Sequence, residues 1–489
     1  MQDHNNNYGD KKEVTIQAPG VVVTNENENG GDDRFLQLPE GMSRSVAIMT
    51  GAMFFNNLGF GCIAPVLPLY ATSMGLGATG VGTILSTAAF ARLVMNIPMG
   101  RLADQLGRKP LMVAGGTTVA VASMATGMAT NLPTLLACRL LAGTGGSAAT
   151  AGTGAYMADI TSSIPDQRAK IAGVQNTVVG VAYAVGPAVG GYLCDLYGAR
   201  TMFFGVGAAN AICTMGYFLL PESSKFSNRT TTKVGVEKDN QTTITKKNVV
   251  TDDDTDNTNN ESVLDLYSGL LRNPDRQGLL AMNFGIFCSY SALLTVFPLH
   301  AVEVLGSEVG TASTIGAMFA GASMIGFAGA PLGGYLADTI GRKKTIVPAA
   351  LLVSAGPILI AAVTPETASL YTLFPSILLW GFGNSMVNPG LTAFAADIAK
   401  DEKTRSQALA LSNSASDLSF LICPISLGTL AQLTDCSTAM VATGTVIGVL
   451  NLFFALRSTE PHPHEATTTT TRTTTTDATP TSTTIPPRK

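Results

Sequence analysis

The chain has 489 residues, 46% of them apolar and only 13% charged, with 51 glycines and a mean hydropathy of +0.28. A soluble domain of this length carries more surface charge, so most of this chain has no water to face. A formal charge of -4 argues against a nucleic-acid binder, and seven cysteines scattered singly through apolar stretches, with no CxxC pair, read as small buried hydrophobes; no metal or cofactor is expected.

Residues 1–44 contain Asn runs and more acids than bases, unlike a signal or transit peptide, and are expected to form a disordered tail. A bilayer core of roughly 30 Å takes about 20 helical residues. Such stretches recur at 45–70, 80–101, 111–130, 133–158, 168–194, 199–220, 277–303, 309–336, 344–364, 368–397, 405–432 and 436–457. Between the sixth and seventh lies a polar segment, 221–276, containing TDDDTDNTNNES and too hydrophilic to bury a core. A short amphipathic helix is expected within it at 262–273. From 458 the chain is a Thr/Pro tract expected to be disordered. The expected fold class is an all-α membrane protein, twelve transmembrane helices in two pseudo-symmetric six-helix bundles at 45–220 and 277–457.

Short loops on one side carry Arg101, Arg108, Lys109, Arg168, Lys170, Arg342, Lys343, Lys344, Lys400, Lys403 and Arg405, and the other side carries little beyond Arg200. Basic loops stay cytosolic, so both termini and the polar segment are expected in the cytosol. The halves also repeat. GRLADQLGRK at 100–109 returns as GYLADTIGRKK at 334–344, AYMADI at 155–160 as AFAADI at 393–398, PLY at 68–70 as PLH at 298–300, and Asn176 with Pro187 as Asn413 with Pro424, at offsets of 230 to 238. A duplication of this kind builds two bundles with a site between them.

The loop carries its own physics. Gly100 and Gly334 let another helix approach, Gly107 and Gly341 permit a tight reversal, and Asp104 and Asp338 suit the N-terminus of a facing helix. Arg108 needs an acid, and Asp159 at the end of the fourth span is available; Arg342 and Asp397 repeat the pair. With both copies intact, the chain resembles the major facilitator superfamily over about 45–457, and most nearly its twelve-span drug:proton antiporter group. The resemblance implies a cytosolic latch of Asp104, Arg108 and Asp159 against span eleven, mirrored by Asp338, Arg342 and Asp397 against span five. A topology-setting basic loop with solvated acids would carry the same residues.

Span four has RLLAGTGGS, resembling the family's R-x-x-x-G-x-G at Arg139, Gly143 and Gly145, with Ala142 where Gln is usual. Span five has AYAVGPAVGG, resembling the antiporter signature at Gly186, Pro187, Gly190 and Gly191, with Ala182 replacing its first Gly; generic small-residue packing is the plainer account. Candidate cavity residues are Asn56, Asn57, Arg92, Arg139, Asn176, Tyr183, Tyr290, Trp380, Asn384, Asn388 and Asn413. A mid-span charge is costly unless hydrated or paired, so Arg139 is expected to face a wet cavity or a partner. Family members that export cations commonly carry an acid in span one, and here that region reads FFNNLGFG. Asp417 in span eleven is the candidate proton-coupling carboxylate, with Arg139 acting on it, because burial disfavours its charge and a nearby cation favours it. Partners are therefore the lipid bilayer, a small-molecule substrate and protons, with the chain a monomer. The expected function is proton-coupled export of a small organic solute, with an anion or metabolite symporter or facilitator, or a non-transporting sensor, as alternatives. No nucleophile triad or Walker A motif supports catalysis or ATP drive.

Overall fold

A computed structural model of the chain describes residues 42–162, 164, 167–222, 273–398 and 402–460, with side chains left undescribed at 169 and 402–411. The tail up to 41, the linker 223–272 with the helix expected at 262–273, and the Thr-rich tail from 461 lie outside the described residues.

The described elements are helices: α1 (Met42–Ser73), α2 (Ala78–Leu106), α3 (Arg108–Met128), α4 (Leu132–Ser162), α5 (Arg168–Leu219), α6 (Pro274–Thr295), α7 (Phe297–Val309), α8 (Ala312–Thr339), α9 (Arg342–Ala361), α10 (Leu370–Asp397), α11 (Glu402–Leu433) and α12 (Cys436–Arg457). Among the described residues, nine helical stretches have the length and apolarity to cross a membrane. One of these runs α6 and α7 together, so the break between them falls inside the expected seventh span. The helix α5 is 52 residues long, about twice what a crossing needs, and Gly198 interrupts it at φ 82°. It therefore has two limbs, matching the fifth and sixth expected spans. The helices α4 and α10, at 31 and 28 residues, have the length but fall below the same apolarity, since Gly, Thr, Ser and Asn punctuate them. A count of twelve spans credits both to the membrane and counts α5 twice.

Helix starts follow ordinary capping chemistry. Asn131 accepts from Thr134 N ahead of α4 (3.1 Å), Asn273 from Asp275 N (2.9 Å), Thr311 from Thr314 N (3.3 Å) and Asp435 from Thr438 N (2.6 Å). Each such cap contributes about 1 kcal/mol. By contrast α2, α3 and α9 start on Gly77, Gly107 and Gly341, which offer no side chain.

Within the first half α1 packs on α5, α3 on α4 and α5, and α2 on α4; in the second α6 packs on α11 and α12, α9 on α10 and α12, and α8 on α10. The halves meet along two seams, α2 with α11 and α5 with α8. Equivalent side chains tie equivalent places: Tyr70 donates to the Ala129 carbonyl at 2.9 Å, and His300 Nε2 lies 3.1 Å from the Ile360 carbonyl. These are the third residues of PLY and PLH.

Candidate functional site: a cavity between two glycine seams

The seams are built from residues whose side chains are missing. A Cβ on Gly191 would stand 2.1 Å from the Ala312 carbonyl oxygen, and one on Gly316 would stand 2.2 Å from that of Pro187. In the other seam a Cβ on Gly428 would stand 2.4 Å from the Ala78 carbonyl oxygen, and one on Gly82 would stand 2.0 Å from that of Pro424. Each seam is thus a proline carbonyl lying over a glycine of the facing helix, with a second glycine one turn along. Gly186 and Gly190 face the other way, onto Leu58, Gly61 and Cys62 of α1, so the span-five signature serves both its own bundle and the contact between halves. Ala182 is fully buried.

Both seams lie at the ends of the helices away from the basic loops, and polar groups fasten them there. Asp195, at the end of the first α5 limb, accepts from the backbone N–H of Ala312 (3.2 Å) and Ser313 (2.8 Å), the first residues of α8. Gln432, at the end of α11, accepts from Thr79 N at 3.0 Å and so supplies the cap that α2 lacks. Free N–H groups at a helix start suit an acceptor, and a carboxylate most of all. Asp195 and Gln432 are 237 residues apart in the sequence, as are Pro187 and Pro424.

Toward the basic loops the halves part. Gly180 approaches Phe327, and Asn96 Nδ2 donates to Asp417 at 3.4 Å. Farther on, Gly100 and Gly173 have open space where a side chain would stand, and Gly334 has only a distant Pro389. Asp104 and Asp338 have side chains 73% and 70% exposed. Arg108 binds Asp159 at 3.1 Å and Asp104 at 3.5 Å; Arg342 binds Asp397 at 2.9 Å and also Asp338. Each triad is therefore assembled within its own half, with its outer carboxylate exposed. Gly107 and Gly341 take φ 94° and 125° at the reversals, where other residues would be strained. Glu222 and Glu460 stand over these two glycines, and Glu460 accepts from Lys343 N at 3.3 Å.

Between the halves lies a cavity of about 970 Å³, the size of a small-molecule site. Asn56 and Asn57 of α1, Arg92 of α2, Arg139 of α4, Asn176, Tyr183 and Pro187 of α5, Tyr290 of α6, and Trp380 and Asn388 of α10 line it. Asn384 is buried behind Tyr290, whose ring meets Trp380 edge-on at 5.2 Å. Asn413 is exposed and Asp417 half-buried, and neither reaches the lining. Arg139 donates through Nη2 to Thr126 Oγ1 of α3, and the cation acting on Asp417 is Arg92.

Several lining residues carried no signal in the sequence. Phe60, Phe287, Phe319, Phe327 and Phe420 face the cavity, but an apolar residue in an apolar span looks the same whether it meets lipid or substrate. Asn210 of the second α5 limb lines it too, and a polar residue in span six was the available hint. Asp195 and Gln432 look like ordinary loop residues until the internal repeat is extended to them.

The sequence profile of the Major Facilitator Superfamily matches residues 49–327 and 302–485. Among curated proteins, the chain is 28% identical over 198 residues to an uncharacterized MFS-type transporter of Methanocaldococcus jannaschii, covering 40% of this chain and 50% of that protein. It is 26% identical over 207 residues to the quinolone resistance protein NorA of Staphylococcus aureus, covering 42% and 52%. It is also 26% identical over 181 residues to multidrug resistance protein 1 of Bacillus subtilis, covering 37% and 46%. The chain thus spans about half the length of the curated relatives it matches. Among solved structures, a bacterial homologue of the human lysosomal transporter Spinster, in an inward-facing and unoccupied conformation, superposes with a TM-score of 0.67 at 15% identity, over 86% of this chain and 98% of that one. The nucleoside transporter NupG superposes with 0.65 at 13% identity, over 84% and 98%. At such identities the likeness is one of fold, and with the profile covering both halves, the chain belongs to the major facilitator superfamily.

Proposed function

We propose that this protein exchanges a small organic solute against protons, exporting it from the cytosol by alternating access. The observation that carries this is the cavity between the halves, sealed at one end by the two glycine seams and open toward the basic loops. Rocking about the seams would part them and bring the two Arg-centred triads together, exposing the cavity to the other side. The basic-loop count puts the open end in the cytosol, with both termini. Asp417 fits the proton-carrying role: it lies half-buried on a seam helix, beside Asn96 and under the field of Arg92, where seam movement would change its surroundings. The chain acts as a monomer, since one copy contains both halves and the whole cavity.

The test is substrate efflux from proteoliposomes with and without an imposed pH gradient, for the wild type and Asp417→Asn. Efflux driven by the gradient in the wild type, and exchange that no longer responds to it in the variant, is the expected pair of results. Transport indifferent to the gradient in the wild type would make the protein a facilitator.

A further inference from the structure

The charges at the deep end of the cavity point to a class of ligand. Arg92 and Arg139 lie on neighbouring helices brought together by the bald face of α4, where a Cβ on Gly143 would stand 2.5 Å from the Ala88 carbonyl oxygen. Both line the large cavity and also a narrower apolar recess continuous with it, between Phe60, Leu294 and Phe420. No Asp or Glu lines either space.

Neither arginine is fully paired by the protein. Arg139 is 5% exposed, with one hydrogen bond, to the neutral Thr126, and its Nε has no partner. Arg92 Nε is likewise buried without a partner. Among the described residues neither arginine makes an ion pair within 4.0 Å; the ion pairs there belong to the two loop triads. A guanidinium has five N–H donors, and leaving them dry is costly. Asp417 lies within the field of Arg92 but outside the cavity lining, where Asn96 donates to it at 3.4 Å, and it makes no ion pair with either arginine.

We infer that the cavity binds an organic anion, with a carboxylate or similar planar oxyanion on Arg92 and Arg139 and an apolar or aromatic body among the phenylalanines, Tyr290 and Trp380. Two adjacent guanidinium groups match an oxyanion's lone pairs. The surrounding rings supply apolar contact and exclude water. An organic cation meets two like charges and no acid at the same place. This inference rests on the cavity being the transport site, but it concerns binding, which is measurable without transport.

Trp380 is the single tryptophan of the chain and lines the cavity, so its fluorescence reports occupancy in purified protein. The probes are biphenyl-4-carboxylate, 4-biphenylmethanol and 4-biphenylmethylammonium, which differ chiefly in charge. The carboxylate should bind at least about 10-fold more tightly than the ammonium, the scale of one charged hydrogen bond. Arg92→Gln should remove that preference while changing the alcohol's affinity less than about 3-fold, and Arg92→Lys should restore part of it. Arg92 is the residue to vary, because Arg139 is wholly enclosed and its replacement tests folding as well. Tighter binding of the ammonium, or equal weakening of all three probes in Arg92→Gln, overturns the inference. Carboxylate binding without any counterflow in proteoliposomes would instead retain it and overturn the transport reading.

Discussion

Replacing Asp195 with alanine removes the carboxylate that fastens the start of α8 to the first half. That carboxylate accepts two backbone hydrogen bonds, at 3.2 and 2.8 Å, from the opposite half. A hydrogen bond to a charged group contributes about 1.5–3 kcal/mol when shielded, and an acid at an exposed helix start about 0.3–1 kcal/mol. Asp195 is exposed, which places the total near the lower figures, about 1–2 kcal/mol. If alternating access parts this side, the contact is made only in the closed state, so its loss destabilises that state and leaves the open one untouched. At about 1.4 kcal/mol per tenfold, the closed-to-open ratio should fall about 5- to 30-fold. The assay is labelling of a cysteine at Ser323, a cavity residue, by an impermeant maleimide applied opposite the basic loops in a cysteine-free background. Asp195→Ala should raise the labelling rate by that factor. Asp195→Asn, which keeps one acceptor and loses the charge, should raise it less. An unchanged rate in Asp195→Ala would refute the idea that this contact holds the seam shut.

In the other seam, Gly428→Val drives a branched side chain into the Ala78 carbonyl; overpacking of this kind costs about 1–3 kcal/mol and should raise the same labelling rate, with protein level in the membrane as the control. Asp104→Asn should reduce transport and increase labelling of cysteines at the basic-loop mouth while insertion is unchanged, if its exposed carboxylate helps the proposed rocking to close that side; unaltered labelling and transport would leave the loop as a topology signal. Asp417→Asn should flatten the pH profile of gradient-driven transport, and a retained wild-type profile would remove Asp417 from the proton path. The sequons at Asn228, Asn240 and Asn260 should stay unglycosylated in a eukaryotic host if, as proposed, the basic loops face the cytosol; glycan on any of them reverses the orientation.

The arrangement of helices was legible because apolar runs and basic loops obey the bilayer directly, and because the duplication kept matching residues at matching offsets. The same offsets reach further than the motifs that exposed them. Pro187 and Pro424 are visible in sequence, but only the fold shows that each lays its carbonyl over Gly316 or Gly82 of the facing half. The signature glycines of span five are likewise divided by function: Gly186 and Gly190 serve packing on α1, while Gly191 serves the seam, a distinction set by which helix lies one turn away. The cavity was half legible. Its asparagines, arginines and Trp380 stand out against an apolar background, whereas its phenylalanines do not. Polarity alone also over-collected: Asn413 lies off the cavity lining, and Asn384 is buried behind Tyr290. The electrostatic neighbour of Asp417 is Arg92 on the adjoining seam helix, which depth along a span does not reveal.

The central claim is that the two halves alternate access to the cavity between them and so move a solute through it. Counterflow in proteoliposomes tests this most directly: protein preloaded inside vesicles with an excess of an unlabelled cavity ligand, the same labelled compound outside, and no ion gradient. The account predicts transient accumulation of label above its outside concentration, absent from empty vesicles and suppressed when Gly428→Val obstructs closure of the seam. Ligand binding at Trp380 with no accumulation of label would contradict it, and would make the protein a binding or sensing member of its superfamily.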